Sequence, residues 1–170
     1  NKKLFKMKKY ILLLAILLAS CEMPVEEPKG SGYWIAEDGN EKFVNASDDY
    51  TDIYKAWLEA HNGKDIDKVL SFETDDVILD LPDGTSIEGK EAHRQGLENY
   101  FNVDPEHNLF WALPYVGVNN AEVWIIAGSV EDYTTEEGRQ SRLLMVDAQF
   151  TEDKLSRIIF YEKARPSPQN

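Results

Sequence analysis

Four β-rich stretches occupy the second half of this chain: Asn108 to Val118, Glu122 to Tyr133, Arg139 to Thr151 and Lys154 to Lys163. Only short separators divide them, at Asn119-Asn120, Thr134 to Gly138 and Glu152-Asp153. Connections this short join neighbouring antiparallel strands, so the four stretches are expected to form a meander of hairpins. Val123 to Ala127 and Leu143 to Val146 are apolar at every position. Such runs put apolar side chains on both faces, so the sheet should carry helices on one side and some other apolar cover on the second.

The stretch ahead of the meander reads as helical. Tyr50, Ile53, Tyr54, Trp57, Leu58 and His61 recur at spacings of three and four, with Ser47 as a cap and Asp48 and Asp49 in the first turn. This pattern predicts a helix from Asp48 to Asn62, ended by Gly63. A short second helix is expected over Asp65 to Ser71, with Ile66, Val69 and Leu70 inward. Val77 to Leu81 reads as a strand, Pro82-Asp83-Gly84 as a turn and Thr85 to Glu88 as its return. A third helix is expected from Gly89 to about Asn102. The order predicts an α+β fold in which a curved, mostly antiparallel sheet wraps three N-terminal helices as a cone, with a pocket at the open end.

The N-terminus suggests an address. Lys8 and Lys9, the apolar run Ile11 to Leu18 and Leu18-Ala19-Ser20-Cys21 follow one another as the basic region, short apolar core and cleavage box of a bacterial lipoprotein signal. Ile11 to Ala19 is too short to span a bilayer, which takes roughly 20 helical residues. On this reading Met7 is the natural start, residues 1–20 are removed and Cys21 bears the lipid. Residues 21–46 form an anchored tether and lead-in, 47–165 a single domain, and 166–170 a tail. Acyl chains on Cys21 hold the protein to a membrane at about 0.8 kcal/mol per buried methylene. Glu22, Glu26 and Glu27 behind the cysteine resemble the export signal of surface lipoproteins, which implies the outer membrane, facing the periplasm or the cell surface. Cys21 is the only cysteine in the chain, so no intramolecular disulfide is expected. Removing residues 1–20 leaves 13 basic against 31 acidic residues, a formal charge of −18. A field of that sign repels phosphate backbones and anionic headgroups, which argues against nucleic acid as a partner.

Asp65, Asp75-Asp76-Val77, Pro82, Gly84 and Gly89-Lys90-Glu91 lie within Trp57 to Phe101. Their order resembles the SnoaL-like branch of the NTF2-like superfamily, and the resemblance extends over roughly residues 48–163. It implies the cone fold and, in relatives, a homodimer, but fold alone licenses no activity. The catalytic positions implied by the resemblance are apolar here. The helix-1 tyrosine of ketosteroid isomerases falls at Trp57, and their general base at Leu81. The protonated aspartate of their oxyanion hole falls at Val146, and the last-strand aspartate of cyclases and epoxide hydrolases at Phe160. Asp147 is expected on the outer face of its strand, and only a one-residue slip would bring Asp147 or Glu162 into the pocket.

The remaining polar chemistry rests on His61, which shares a helix face with Tyr50, Tyr54 and Trp57, and on His93 on the inner face of the third helix. His107, beside Asp104-Pro105-Glu106, is expected in a solvated loop, and Asp132 and Arg142 are expected to pair across their hairpin. No HxxxH or HxH spacing points to a metal, and no cofactor is implied. Tyr54, Trp57, Leu81, Leu97, Trp111, Val146 and Phe160, with the two histidines, are the expected contacts for a small apolar or aromatic ligand. Three functions follow. One is a lipid-anchored, non-catalytic binder of such a ligand, which the aromatic residues and missing acids favour. The second is an isomerase, cyclase or hydrolase using His93 or His61, and the third is an interaction module dimerising through its sheet.

Overall fold

A computed structural model describes residues 30–35, 39 and 41–164. The signal segment, Cys21, the tether behind it and the C-terminal tail lie outside the described residues. The described chain runs β1 (Gly32–Trp34), β2 (Glu41–Asn45), α1 (Asp49–Asn62), α2 (Ile66–Ser71), β3 (Glu73–Asp80), β4 (Ser86–Glu88) and α3 (Lys90–Tyr100). A 3-10 turn (Phe101–Val103) follows, then β5 (Glu106–Gly117), β6 (Val123–Thr135), β7 (Gly138–Thr151) and β8 (Lys154–Ala164). The strands form one eight-stranded sheet in the order β1-β2-β5-β6-β7-β8-β3-β4. Every pairing is antiparallel except β3 with β8. The lead-in before residue 47 thus contributes two strands to the sheet.

Local chemistry sets the helix ends. Asp49 and Asp52 stand in the first turn of α1, where the helix dipole favours negative charge. Asp48 occupies the cap position, and Ser47 sits one residue earlier, accepting the Asp49 N–H. Asp65 caps α2 by accepting the Lys68 N–H at 3.0 Å. At the other end of α1, the Asn62 amide accepts the His107 N–H at 2.7 Å and donates to the His107 carbonyl at 2.9 Å. That two-way bond mimics a strand pairing and ties the last turn of α1 to the start of β5.

The core lies between the inner face of the sheet and the helices. Tyr54, Trp57 and Leu58 of α1 meet Val69 and Leu70 of α2, Leu97 of α3 and the inward residues of β6, β7 and β8. Inward and outward residues alternate along most of each strand, and bulges break the alternation at Ser156 of β8, where Leu155 and Ile158 are both buried, and in β5. A bulge between Leu109 and Trp111 leaves Phe110 unpaired, so that Leu109 faces Ser129 while Trp111 faces Gly128. Ser129 is buried and Trp111 is 40 % exposed, so the bulge sends Leu109 inward and Trp111 outward.

Ile158 is fully buried in β8 and links the two halves of the sheet, opposite Leu79 of β3 and Ala148 of β7. Ile158→Ala is expected to lower stability by about 2–5 kcal/mol, read as a drop in the urea midpoint at unchanged slope. A loss below about 1 kcal/mol would contradict this close packing.

Candidate active site

A cavity of about 630 Å³ opens between the helices and the inner face of the sheet, a volume suited to a small organic molecule. Its apolar wall comes from Tyr54, Trp57 and Leu58 of α1, Leu79 of β3, Leu97 of α3, Leu144 and Val146 of β7, and Phe160 of β8, with Leu81 and Pro82 just past β3. His61, His93 and His107, the chain's three histidines, all line it. His61 stands between the other two, with ring centroids 6.3 Å from His93 and 5.9 Å from His107.

Behind this wall lies a buried carboxylate. Glu73, at the first residue of β3, accepts the Trp57 indole N–H at 2.8 Å on one oxygen and the His93 Nδ1–H at 2.9 Å on the other. Its side chain has no exposure, and that of His93 has 5 %. Because a carboxylate only accepts, this bond assigns the His93 proton to Nδ1 and leaves Nε2 as the free ring nitrogen. His61 is fixed in the same sense, its Nδ1–H donating to the Trp57 carbonyl at 2.9 Å.

A second polar group closes another part of the wall. Glu131, buried on the inner face of β6, accepts the Tyr100 hydroxyl at 2.8 Å. It also accepts Arg142 Nε at 2.8 Å and Nη2 at 3.1 Å. Arg142 Nη1 reaches Glu162 of β8 at 2.6 Å. With the Tyr100 proton committed to Glu131, His107 Nε2, 2.9 Å away, donates to the tyrosine oxygen. Its Nδ1 is then left buried without a partner among the described residues.

Burial governs the titration of these groups. It pushes the His61 imidazole down to about 3, against the Trp57 carbonyl bond and with help from the charges of His107 and His93. It holds His107 below its ordinary value too, Glu131 opposing and Arg142 assisting. The Tyr100 hydroxyl is pushed well above the usual tyrosine range by burial and then by the Glu131 charge. On Arg142 burial works against the cation, but the bonds to Glu131 outweigh it and its pKa is raised. Among the described residues no three His, Cys, Asp or Glu side chains are placed to hold a metal ion together.

The sequence matches no family model and no curated protein. Solved structures do match. One is a putative ketosteroid isomerase from Kribbella flavida, 13 % identical over 74 % of this chain and 86 % of that one, with a TM-score of 0.58. Another is an epoxide hydrolase from M. tuberculosis described as LEH-like, 16 % identical over 68 % of this chain and 83 % of that one, at 0.56. A third is a putative polyketide cyclase from Xanthomonas campestris pv. campestris, 21 % identical over 66 % and 89 %, at 0.52.

The fold is an NTF2-like α+β cone, as in these structures. Trp57, Leu81, Val146 and Phe160, the places where the resemblance puts catalytic groups in relatives, line this NTF2-like cone as apolar surface. Tyr54, His61, His93 and Leu97 line it as well. Trp111 does not, because the β5 bulge turns it onto the outer face. Asp147 belongs to that outer face too, half-buried, with burial raising its carboxyl and the Tyr115 hydroxyl opposing.

Three further expectations are corrected. His107 lies in β5, buried at the cavity wall, since the strand begins at Glu106 and Asn62 clamps its backbone. Arg142 does not pair with Asp132. The register sets Arg142 opposite Glu131 and Asp132 opposite Ser141, whose hydroxyl bonds it. The cone is also not free of placed carboxylic acids. Glu131 and Glu162 line it, Glu162 with no slip of register because it shares the inward parity of Phe160 along β8, and Glu73 stands directly behind His93.

His61 links acidity to unfolding. Between pH 6.5 and about 3 the unfolded chain protonates this imidazole while the folded one does not. The native state therefore binds fewer protons, and stability is lost as the pH falls through that window. His61→Phe removes the titration, so its urea midpoint is expected to drop less than wild type between pH about 7 and about 4. An equal drop would show that His61 is charged or exposed in the native state.

Proposed function

We propose that the cone is the reaction chamber of an acid–base enzyme for a small, largely apolar molecule, with His93 as the proton-transfer group. The Glu73–His93 pair on the cavity wall carries this reading. Glu73 fixes the imidazole so that the Nε2 lone pair is available as a general base. It then offsets the positive charge that the ring gains on taking a proton. A buried carboxylate bonded to an imidazole is a costly arrangement for mere packing, since an apolar pair would fill the same space without the desolvation penalty. Tyr54, Trp57, Leu97, Val146 and Phe160 enclose the ligand's apolar body, and the Tyr100–Glu131–Arg142 group meets its polar end. Neighbouring structures named as a ketosteroid isomerase, a polyketide cyclase and an epoxide hydrolase fit such a chamber, because each of those reactions moves protons on a small molecule.

The address belongs to the same proposal. The cleavage box ending at Cys21 supports a domain held at a membrane by acyl chains, the outer membrane being the one that the sequence suggests. A second copy is the proposed protein partner. Trp111, Gly128, Met145 and Tyr161 lie side by side across four strands on the outer face, and the three large side chains are exposed. On a chain this acidic, association is cheapest where charge is absent, and this row bears none.

The chemistry is tested with enolisable ketones and epoxides, following deuterium exchange at the carbon beside the carbonyl and ring opening. Turnover of one class is expected, with His93→Gln lowering kcat by roughly 10²–10⁴-fold. Glu73→Gln should lower kcat while ligand still quenches the tryptophan emission. Ligands that bind tightly with neither exchange nor opening would return the cone to a carrier role. Sedimentation tests the partner, with a dimer expected for the wild type and a monomer for Met145→Glu. A wild type that stays monomeric at high concentration removes the second copy.

A further inference from the structure

We infer that the free edge of the sheet beside the proposed lipid anchor, Tyr33-Trp34-Ile35, docks into the interfacial layer of a zwitterionic bilayer and orients the cone on the membrane. Among the described residues, strand β1 is the outermost strand on its side of the sheet. Tyr33, Trp34 and Ile35 are 58 %, 64 % and 79 % exposed. Three consecutive large apolar residues so open to solvent are unusual at a sheet edge, where charge or proline normally guards the unpaired backbone.

Geometry favours lipid over protein as the occupant. Tyr33 stands opposite Lys42 and Trp34 opposite Glu41, and successive strand residues point to opposite faces. The apolar side chains therefore project from both sides of the edge. A flat protein partner would cover one side only, whereas the boundary between headgroups and acyl chains surrounds an inserted edge. Tryptophan and tyrosine are the residues that settle at that depth.

The chain's own length supports the same occupant. Ten residues lie between Cys21 and Gly32, and the steps from one to the other span at most about 40 Å at full extension. An acylated Cys21 would thus keep β1 within that distance of the bilayer at all times, so docking becomes an intramolecular event at high effective concentration. Glu22, Glu26, Glu27, Glu37, Asp38 and Glu41 cluster in the same part of the sequence. Anionic headgroups would be repelled by them, which is why the surface is assigned as zwitterionic. This inference rests on the lipid-anchor reading given above.

The test uses the full acylated protein on phosphatidylcholine vesicles carrying brominated acyl chains, the emission of Trp34 being taken as the difference between wild type and Trp34→Phe. Flotation of the protein with the vesicles, loss of most of the Trp34 emission, and recovery of that emission in a Tyr33→Ser/Ile35→Ser variant that still floats are expected. A protein that floats with its Trp34 emission intact would overturn the docking while leaving the anchor standing. A protein that neither floats nor carries an acyl mass on Cys21 would overturn both. Quenching that survives in the double variant, or crosslinking of two β1 edges on the vesicles, would also overturn it, the latter by making a second copy the occupant.

Discussion

One buried carboxylate holds the cone together. Glu73 opens β3, takes the indole N–H of Trp57 from α1 and the imidazole N–H of His93 from α3, and so joins three elements at a single side chain. Moving a carboxylate out of water costs several kcal/mol, and only good donors on both oxygens offset it. The surrounding fold is arranged to provide them. The Trp57 indole, which in another setting could face a ligand, spends its N–H here, and His93 spends one of its two nitrogens. What remains for chemistry is the other nitrogen, held by a partner that cannot move away.

The Glu131 group obeys the same rule at larger scale. Its members come from α3, β5, β6, β7 and β8, and each bond satisfies a group that burial would otherwise leave costly. Arg142 lies between one fully buried acid and one half-exposed acid, so its charge stabilises the interior carboxylate while staying connected to solvent. Among the described residues His107 Nδ1 has no partner, and such an atom beside a cavity wall is where a bound polar group would gain most. The polar wall is therefore a structural brace, and under the proposed function it also meets the ligand's polar end while the apolar wall supplies burial.

The fold was legible in the sequence because it is written locally. Tyr54, Trp57 and His61 repeat at helical spacing, Gly63 and Asp65 punctuate, and two- to five-residue separators leave only hairpins. That helical spacing groups Tyr54, Trp57 and His61, whereas the family resemblance places Leu81, Val146 and Phe160, and Trp111 is placed on the wrong face. The acids were legible by neither route, because their meaning is non-local. Glu73 sits in a run of acids, Glu73-Thr74-Asp75-Asp76, that reads as solvated, and its partners are 16 and 20 residues away. The Tyr100 bond to Glu131 spans 31 residues. Glu131 did leave a trace, for Ile125, Ala127, Ser129 and Glu131 share one parity along β6 and all are buried. Reading Arg142 against Asp132 missed the true register by one residue, and a slip of one moves every side chain to the other face.

Trp111 shows how small a feature can redirect such a reading. Counting by twos from His107 and Leu109 puts residue 111 inside the cone, and the extra residue Phe110 reverses it. Its consequence is larger than one side chain, because every position from 111 onward along β5 changes sides with it. Ala112 and Pro114 then face the core row of Ala127 and Ile125, and Leu113 and Tyr115 join Trp111 outside. Without the bulge the outer row would lose its tryptophan and the cavity would lose volume to an indole. The same inserted residue therefore keeps the chamber open and supplies the apolar outer face, so the inner and outer surfaces of this cone cannot be altered independently at β5.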